Sequence, residues 1–99
     1  MFCRVWAYDV PADSTAGFTE AYGPAGDWAR LFARAEGFVG TELYRNTEAS
    51  GRFVTIDVWS SEAAWQAFAD RWGATYAELD ARLEPLAAGG TLLVEGSRQ

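Results

Sequence analysis

Neither histidine nor lysine occurs anywhere in these 99 residues, and all eight cationic side chains are arginine. Without His, the Ser-His-Asp and Cys-His arrangements, His-held metals and a haem on a proximal His are excluded. Without Lys there is neither a Schiff-base nucleophile nor a P-loop. The single Cys3 allows no intramolecular disulfide and no CxxC pair, and it reads as a small buried hydrophobe. Asp9 and Asp13 lack a convergent third ligand, so no metal site is expected. There is no long apolar run and no basic leader after Met1, which points to a cytoplasmic protein without a membrane span. A net charge of −6 argues against nucleic acid and anionic membrane surfaces as partners.

Aromatic side chains, by contrast, are plentiful. Five Trp, four Tyr and six Phe sit in a chain that is 49% hydrophobic and long enough for only one domain, spanning 1–99. That aromatic load exceeds what a minimal core needs and points to a pocket or a partner surface.

The pattern along the chain alternates between strand and helix. Phe2 to Val10 is strand-like, and Pro11 to Gly17 is a loop by composition. Phe18, Ala21 and Tyr22 follow helical spacing until Gly23-Pro24-Ala25-Gly26 interrupts them. Asp27 is then placed to cap a second helical piece, with Trp28, Leu31, Phe32 and Ala35 on one face and Gly37 at its end. Phe38 to Asn46 and Arg52 to Trp59 read as two strands joined by a hairpin-length loop. Ser60 or Ser61 caps the longest helix, whose stripe is Trp65, Phe68, Trp72, Tyr76, Leu79 and Leu83. Glu78 and Arg82 are spaced for an i,i+4 pair. Pro85 biases Glu84 away from helical angles and stops the helix, and Thr91 to Glu95 makes a short last strand with a fraying tail. The order βαββαβ implies a ferredoxin-like α+β unit. Its antiparallel sheet has the first and third strands at the centre and both helices on one face.

Parity divides the two central strands. Cys3, Val5 and Ala7 with Val54, Ile56 and Val58 form a small aliphatic face. Phe2, Arg4, Trp6 and Tyr8 with Phe53, Thr55, Asp57 and Trp59 form one that mixes rings with charge. Two helices cover only one face, so the aliphatic face is expected to pack sheet to sheet in a homodimer. The mixed face then lies under the helices, where Trp28, Phe32, Trp65, Phe68 and Trp72 close an aromatic-walled space with a few polar groups.

Asp57 stands out as a carboxylate in mid-strand, a position that demands a partner, a proton or water. Either Arg4 or Arg45 pairs with it, or ring N–H and O–H groups of Trp6 or Tyr8 do. Alternatively, it is a base with a raised pKa. Arg4 has the matching pair of readings, ion-pair partner or stabiliser of an oxyanion.

Four stretches carry a resemblance that covers residues 2–95. They are Val5-Trp6-Ala7-Tyr8, Tyr22-Gly-Pro-Ala-Gly-Asp-Trp-Ala-Arg-Leu-Phe32, Gly37-Phe-Val-Gly-Thr-Glu-Leu-Tyr-Arg45 and Thr55-Ile-Asp-Val-Trp-Ser-Ser61. In this order the chain resembles the antibiotic biosynthesis monooxygenase-like family of dimeric α/β barrels. The resemblance implies a homodimer with a shared barrel and a ligand pocket in each subunit between sheet and helices. It also implies cofactor-free oxygenation of electron-rich aromatics such as anthrones and quinols. Thr55, Trp59 and Trp65 match pocket-lining positions of that family, where relatives can carry Asn, Trp and Tyr. The haem-degrading branch needs a His on the second helix and an Asn on the first strand, whereas the only Asn here is Asn46.

The expectation is therefore a cofactor-independent monooxygenase acting on a small aromatic ligand. Asp57 is its base, aided by Tyr8, and Arg4 steadies the anion. Trp6, Trp28, Phe32, Thr55, Trp59, Trp65, Phe68 and Trp72 are the expected substrate contacts. A non-catalytic dimeric binder of small ligands is the alternative, and a scaffold with a filled core is the third reading.

Overall fold

The structure, a computed structural model, describes residues 1–99. Its elements are β1 (Phe2–Asp9), α1 (Thr15–Tyr22), α2 (Asp27–Phe32), β2 (Phe38–Arg45), β3 (Arg52–Trp59), α3 (Glu62–Leu83) and β4 (Gly90–Ser97). Short 3-10 turns precede α1 and follow α3. The four strands form one sheet in the order β2-β3-β1-β4, every neighbouring pair antiparallel. This is the ferredoxin-like arrangement that the element order implies. No helix is long and apolar enough to cross a membrane.

The register of β1 against β3 aligns Phe2 with Trp59, Arg4 with Asp57, Trp6 with Thr55 and Tyr8 with Phe53. These rows carry the mixed face, and the helices cover it. Phe53, Thr55, Asp57 and Trp59 are all buried, while the alternating Val54, Ile56 and Val58 are only half-buried. Rings dominate the core beneath the helices. Phe18 stacks on Tyr22 with centroids 4.1 Å apart, and Phe32 meets Trp59 and Phe68 edge-on at 5.5 and 5.2 Å. The edge-on pairs set ring edges against ring faces, the favourable quadrupole geometry, while Phe18 and Tyr22 lie nearly parallel. The far side of the sheet is open, with Val39, Tyr44, Leu93 and Val94 each more than half exposed.

Both outer strands are irregular. β2 slips register between Phe38 and Gly40, and β4 slips opposite Val5 and Trp6. In β2 the extra residue brings both Phe38 and Thr41 onto the helix-covered face, opposite Trp59 and Asp57.

Local chemistry departs from the sequence reading in four places. Gly26, not Asp27, is the N-cap of α2, because Asp27 is drawn into ion pairs with Arg30 and Arg82 at 3.3 and 3.0 Å. That longer-range pair also replaces the expected Glu78–Arg82 contact: Arg82 spends its guanidinium tying α3 to α2. Glu84 keeps helical angles (φ −50°, ψ −41°), and the chain tightens into a 3-10 turn through Pro85, so α3 still ends at Leu83. The last strand runs to Ser97, since Gly96 and Ser97 pair with Cys3 and Phe2 and the Arg98 N–H donates to the Met1 carbonyl at 2.8 Å. Three further expectations also shift: α1 already begins at Thr15, inside the stretch read as loop to Gly17, α2 ends at Phe32 well before Gly37, and Cys3 is half-buried rather than buried. The Ser61 side chain accepts from the Ala64 N–H at the start of α3. Past the end of α2, Gly37 has φ +89° at the tight approach to Ala64, and its carbonyl accepts from the Ser60 N–H.

Candidate active site

A cavity of about 330 Å³ opens between the mixed face of the sheet and the helices. The sheet contributes Trp6 and Tyr8 from β1, Thr55 and Asp57 from β3, Thr41 from β2 and Gly90 from β4. The helices contribute Tyr22, Trp28 and Phe32 from α1 and α2, and Tyr76 and Asp80 from α3. Six rings with a few convergent polar groups are the composition of a small-molecule site. Gly90 is part of the fit, because a Cβ there would press into the rings of Tyr8 and Trp6.

Asp57 is 8% exposed. Its Oδ1 accepts a 2.8 Å hydrogen bond from the Thr41 hydroxyl, and no guanidinium bonds it. Burial pushes its carboxyl up to about 6. The Thr41 bond and the more distant Arg4 charge pull the other way, and burial wins. The result is a carboxylate that is ionised at neutral pH yet more basic than an ordinary Asp, facing an aromatic cavity.

The phenols around it have the opposite character. Burial raises Tyr8 far above the usual phenol range, reinforced by Tyr22, Asp57 and Tyr76, with the Thr55 hydroxyl only partly offsetting this. Tyr22 and Tyr76 are also raised, chiefly by burial. All three are thereby held toward the protonated form, in which a phenol donates a hydrogen bond. Trp28 adds an indole Nε1–H that is buried without a hydrogen-bond partner.

Arg4 does not join Asp57. Its Nε donates to Glu95 Oε2 at 2.8 Å, and its guanidinium lies over Trp65, 4.0 Å from the ring centroid. Glu95 faces Arg4 directly across β1 and β4, whereas Asp57 is taken by Thr41. Arg45 is also elsewhere, bonded to the Ser50 carbonyl and lying over Phe53.

Of the expected wall residues, Trp6, Trp28, Phe32 and Thr55 line the main cavity with Asp57 and Tyr8. Trp59 and Phe68 do not; they are core, at 0% and 1% exposure. Trp65 lines a smaller neighbouring cavity with Arg4. Trp72 lies 5.3 Å from both Arg34 and Arg71, outside the main cavity and partly buried against the core. Four side chains of the wall escaped the sequence reading of the site: Thr41, Tyr22, Tyr76 and Asp80. Tyr22 and Tyr76 already stood on apolar helical stripes, and Asp80 follows Tyr76 by one turn. Those were the available signals.

No three His, Cys, Asp or Glu side chains converge to hold a metal ion. The family model described as antibiotic biosynthesis monooxygenase matches residues 1–73. No curated protein sequence matches significantly. Solved structures share the fold over essentially the whole chain. A Streptomyces coelicolor monooxygenase from ActVA-Orf6, in complex with Nanaomycin D, is 21% identical with a TM-score of 0.75, covering 99% of this chain and 88% of that one. SnoaB, a cofactor-independent oxygenase from Streptomyces nogalater, is 24% identical in its N63A form, with a TM-score of 0.66 and coverage of 99% and 93%. The heme-degrader MhuD from Mycobacterium tuberculosis, with two hemes bound in its active site, is 26% identical, with a TM-score of 0.68 and coverage of 100% and 97%.

Proposed function

We propose a reaction for a chain that belongs to the antibiotic biosynthesis monooxygenase family: cofactor-independent oxygenation of a small electron-rich aromatic of the anthrone or quinol kind, with Asp57 as base. The observation that carries this reading is a buried carboxylate with a pKa of about 6 in the wall of a ring-lined cavity, surrounded by phenols that keep their protons.

Dioxygen reacts slowly with closed-shell organics, so the substrate must first become an electron donor. With an anthrone, Asp57 removes one proton from the ring CH2 and leaves a delocalised anion whose oxygen the phenols and the Trp28 N–H can hold. One electron passes to dioxygen, the radical pair combines into a C–O bond, and the peroxide takes a proton. Loss of the second C–H proton then expels hydroxide. The net change converts CH2 and O2 into a carbonyl and water. Planar substrate between Trp6, Trp28 and Phe32 is oriented by stacking, and the rings exclude bulk water.

A haem does not fit these residues. The wall offers no imidazole or thiolate to an iron.

The open sheet face supports a homodimer as part of this reading, since Val39, Tyr44, Leu93 and Val94 leave an apolar surface that a second copy would cover.

Oxygen uptake with a panel of anthrones and quinols, in wild type and Asp57→Asn, tests the reaction. Uptake above the spontaneous rate that collapses in the variant is the expected result. Equal uptake in both removes Asp57 as the base. Ligand-induced quenching of Trp fluorescence without any uptake makes the protein a small-ligand binder.

A further inference from the structure

A second, open cavity of about 220 Å³ shares Tyr76 with the main one and is lined by Arg4, Trp65, Ala69 and Gly73. Two independent features single it out. The first is Gly73, in the interior of the 22-residue α3, where glycine costs about 1 kcal/mol relative to alanine. A Cβ at Gly73 would meet nothing within 4 Å, so no packing contact requires the glycine. Its missing side chain, with Ala69 one turn before it, leaves the space in front of Arg4 unfilled.

The second feature is Arg4 itself, whose side chain is only 11% exposed. Trp65 covers a face of its guanidinium, and Glu95 takes the Nε edge. The donors left for a ligand are on the two Nη groups, a planar fork that matches a carboxylate and that also lies in hydrogen-bonding reach of the Tyr76 hydroxyl. Tyr76 stands beside it and keeps its proton, because burial outweighs the pull of Arg4. Its hydroxyl is thus a second donor. The negative groups nearby are otherwise engaged: Glu95 with Arg4 and Asp57 with Thr41, while Asp80 acts on Tyr76 from the main cavity. A volume of about 220 Å³ accommodates a carboxylate on a short arm, given that one water takes about 30 Å³.

We infer that this cavity is a subsite for a carboxylate borne by the aromatic ligand, received by the Arg4 fork and the Tyr76 hydroxyl, so that the preferred substrates are aromatic acids. The inference rests on the main cavity being the place where the ring binds.

Anaerobic titration of Trp fluorescence with anthraquinone-2-carboxylate and with its methyl ester separates this from the reaction, since neither quinone can be oxygenated there. Wild type is expected to bind the acid about tenfold more tightly than the ester. Arg4→Gln should erase that preference. Gly73→Leu fills the cavity from a position with open space and should also abolish the preference, which covers the case of an Arg4 variant that fails to fold. Equal affinity for acid and ester in wild type overturns the inference, and so does a preference that survives in folded Gly73→Leu. Acid preference without oxygen uptake from any substrate would retain the subsite and discard the oxygenase. Uptake without acid preference would do the reverse.

Discussion

Thr41 Oγ1 donates a 2.8 Å hydrogen bond to Asp57 Oδ1 from the strand next door, and it is the only side chain bonded to that carboxylate. A hydrogen bond to the ionised form lowers a carboxyl pKa, whereas desolvation raises it. Asp57 at about 6 is the balance, with burial the larger effect.

Thr41→Val removes the donor and keeps the shape. A bond to a charged group is worth about 1.5–3 kcal/mol, so the Asp57 pKa should climb by roughly one to two pH units. The acid limb of kcat/KM for oxygen uptake should move up from near pH 6 by the same amount. A limb that stays in place would show that Asp57 is not the group titrating.

Stability should carry the opposite signature of an ordinary acid. The folded pKa of Asp57 is about 6 and its usual value is 3.8, so between these the native state binds more protons than the unfolded one. Stability from this group is then complete below about pH 4 and declines as pH rises through 6. Above that, holding the ionised carboxylate costs about 3 kcal/mol, from about two pH units at roughly 1.4 kcal/mol each. Urea titrations of wild type and Asp57→Asn across pH 4–8 should diverge, with the variant gaining on wild type as pH rises. Parallel curves would contradict the raised pKa.

Two glycines should answer alanine in opposite ways. A Cβ on Gly26 would overlap the Glu20 and Ala21 carbonyl oxygens, all backbone atoms that cannot swing aside. The break between α1 and α2 is thus a packed kink, and Gly26→Ala should cost about 2 kcal/mol or more. Gly73→Ala meets nothing and improves helix propensity, so it should add up to about 1 kcal/mol. Thermal unfolding should show Tm falling in the first and rising in the second, by at most about 4–8 °C.

Val94, Val5 and Ile56 form one row across the open face of the sheet. If a second copy covers that row, a charge in it must be buried unpaired or must hold the copies apart. Val94→Glu should therefore sediment as a monomer at concentrations where wild type is a dimer. Identical sedimentation of the two would place any self-association elsewhere.

Much of the architecture is legible because it depends on local periodicity. Alternation in Phe53–Trp59 assigned the faces of β3, three- and four-residue steps drew the α3 stripe, and the Ser60-Ser61 pair announced its start, with Ser61 the cap in the structure. The site was less legible where register intervened. Counting alternation from Phe38 sends Thr41 to the far face, but the irregularity after Phe38 returns it to Asp57. The two-residue error in the end of β4 has a similar origin, since pairing with Phe2 and Cys3 holds a tail of Gly and Ser that has no strand propensity of its own.

By itself, the sequence determined the absences and the pattern: no imidazole, no amine nucleophile, a βαββαβ order, and a central strand pair whose one face mixes rings with charge. These follow from residue chemistry and from fixed periods of two and 3.6. Only the tertiary structure decided which partners those residues take. It gave Arg4 to Glu95 and Asp57 to Thr41, sank Trp59 into the core, and brought Tyr76 of the last helix beside Tyr8 of the first strand. Such choices depend on strand register and on the distances between elements far apart in the chain, and no local pattern encodes either.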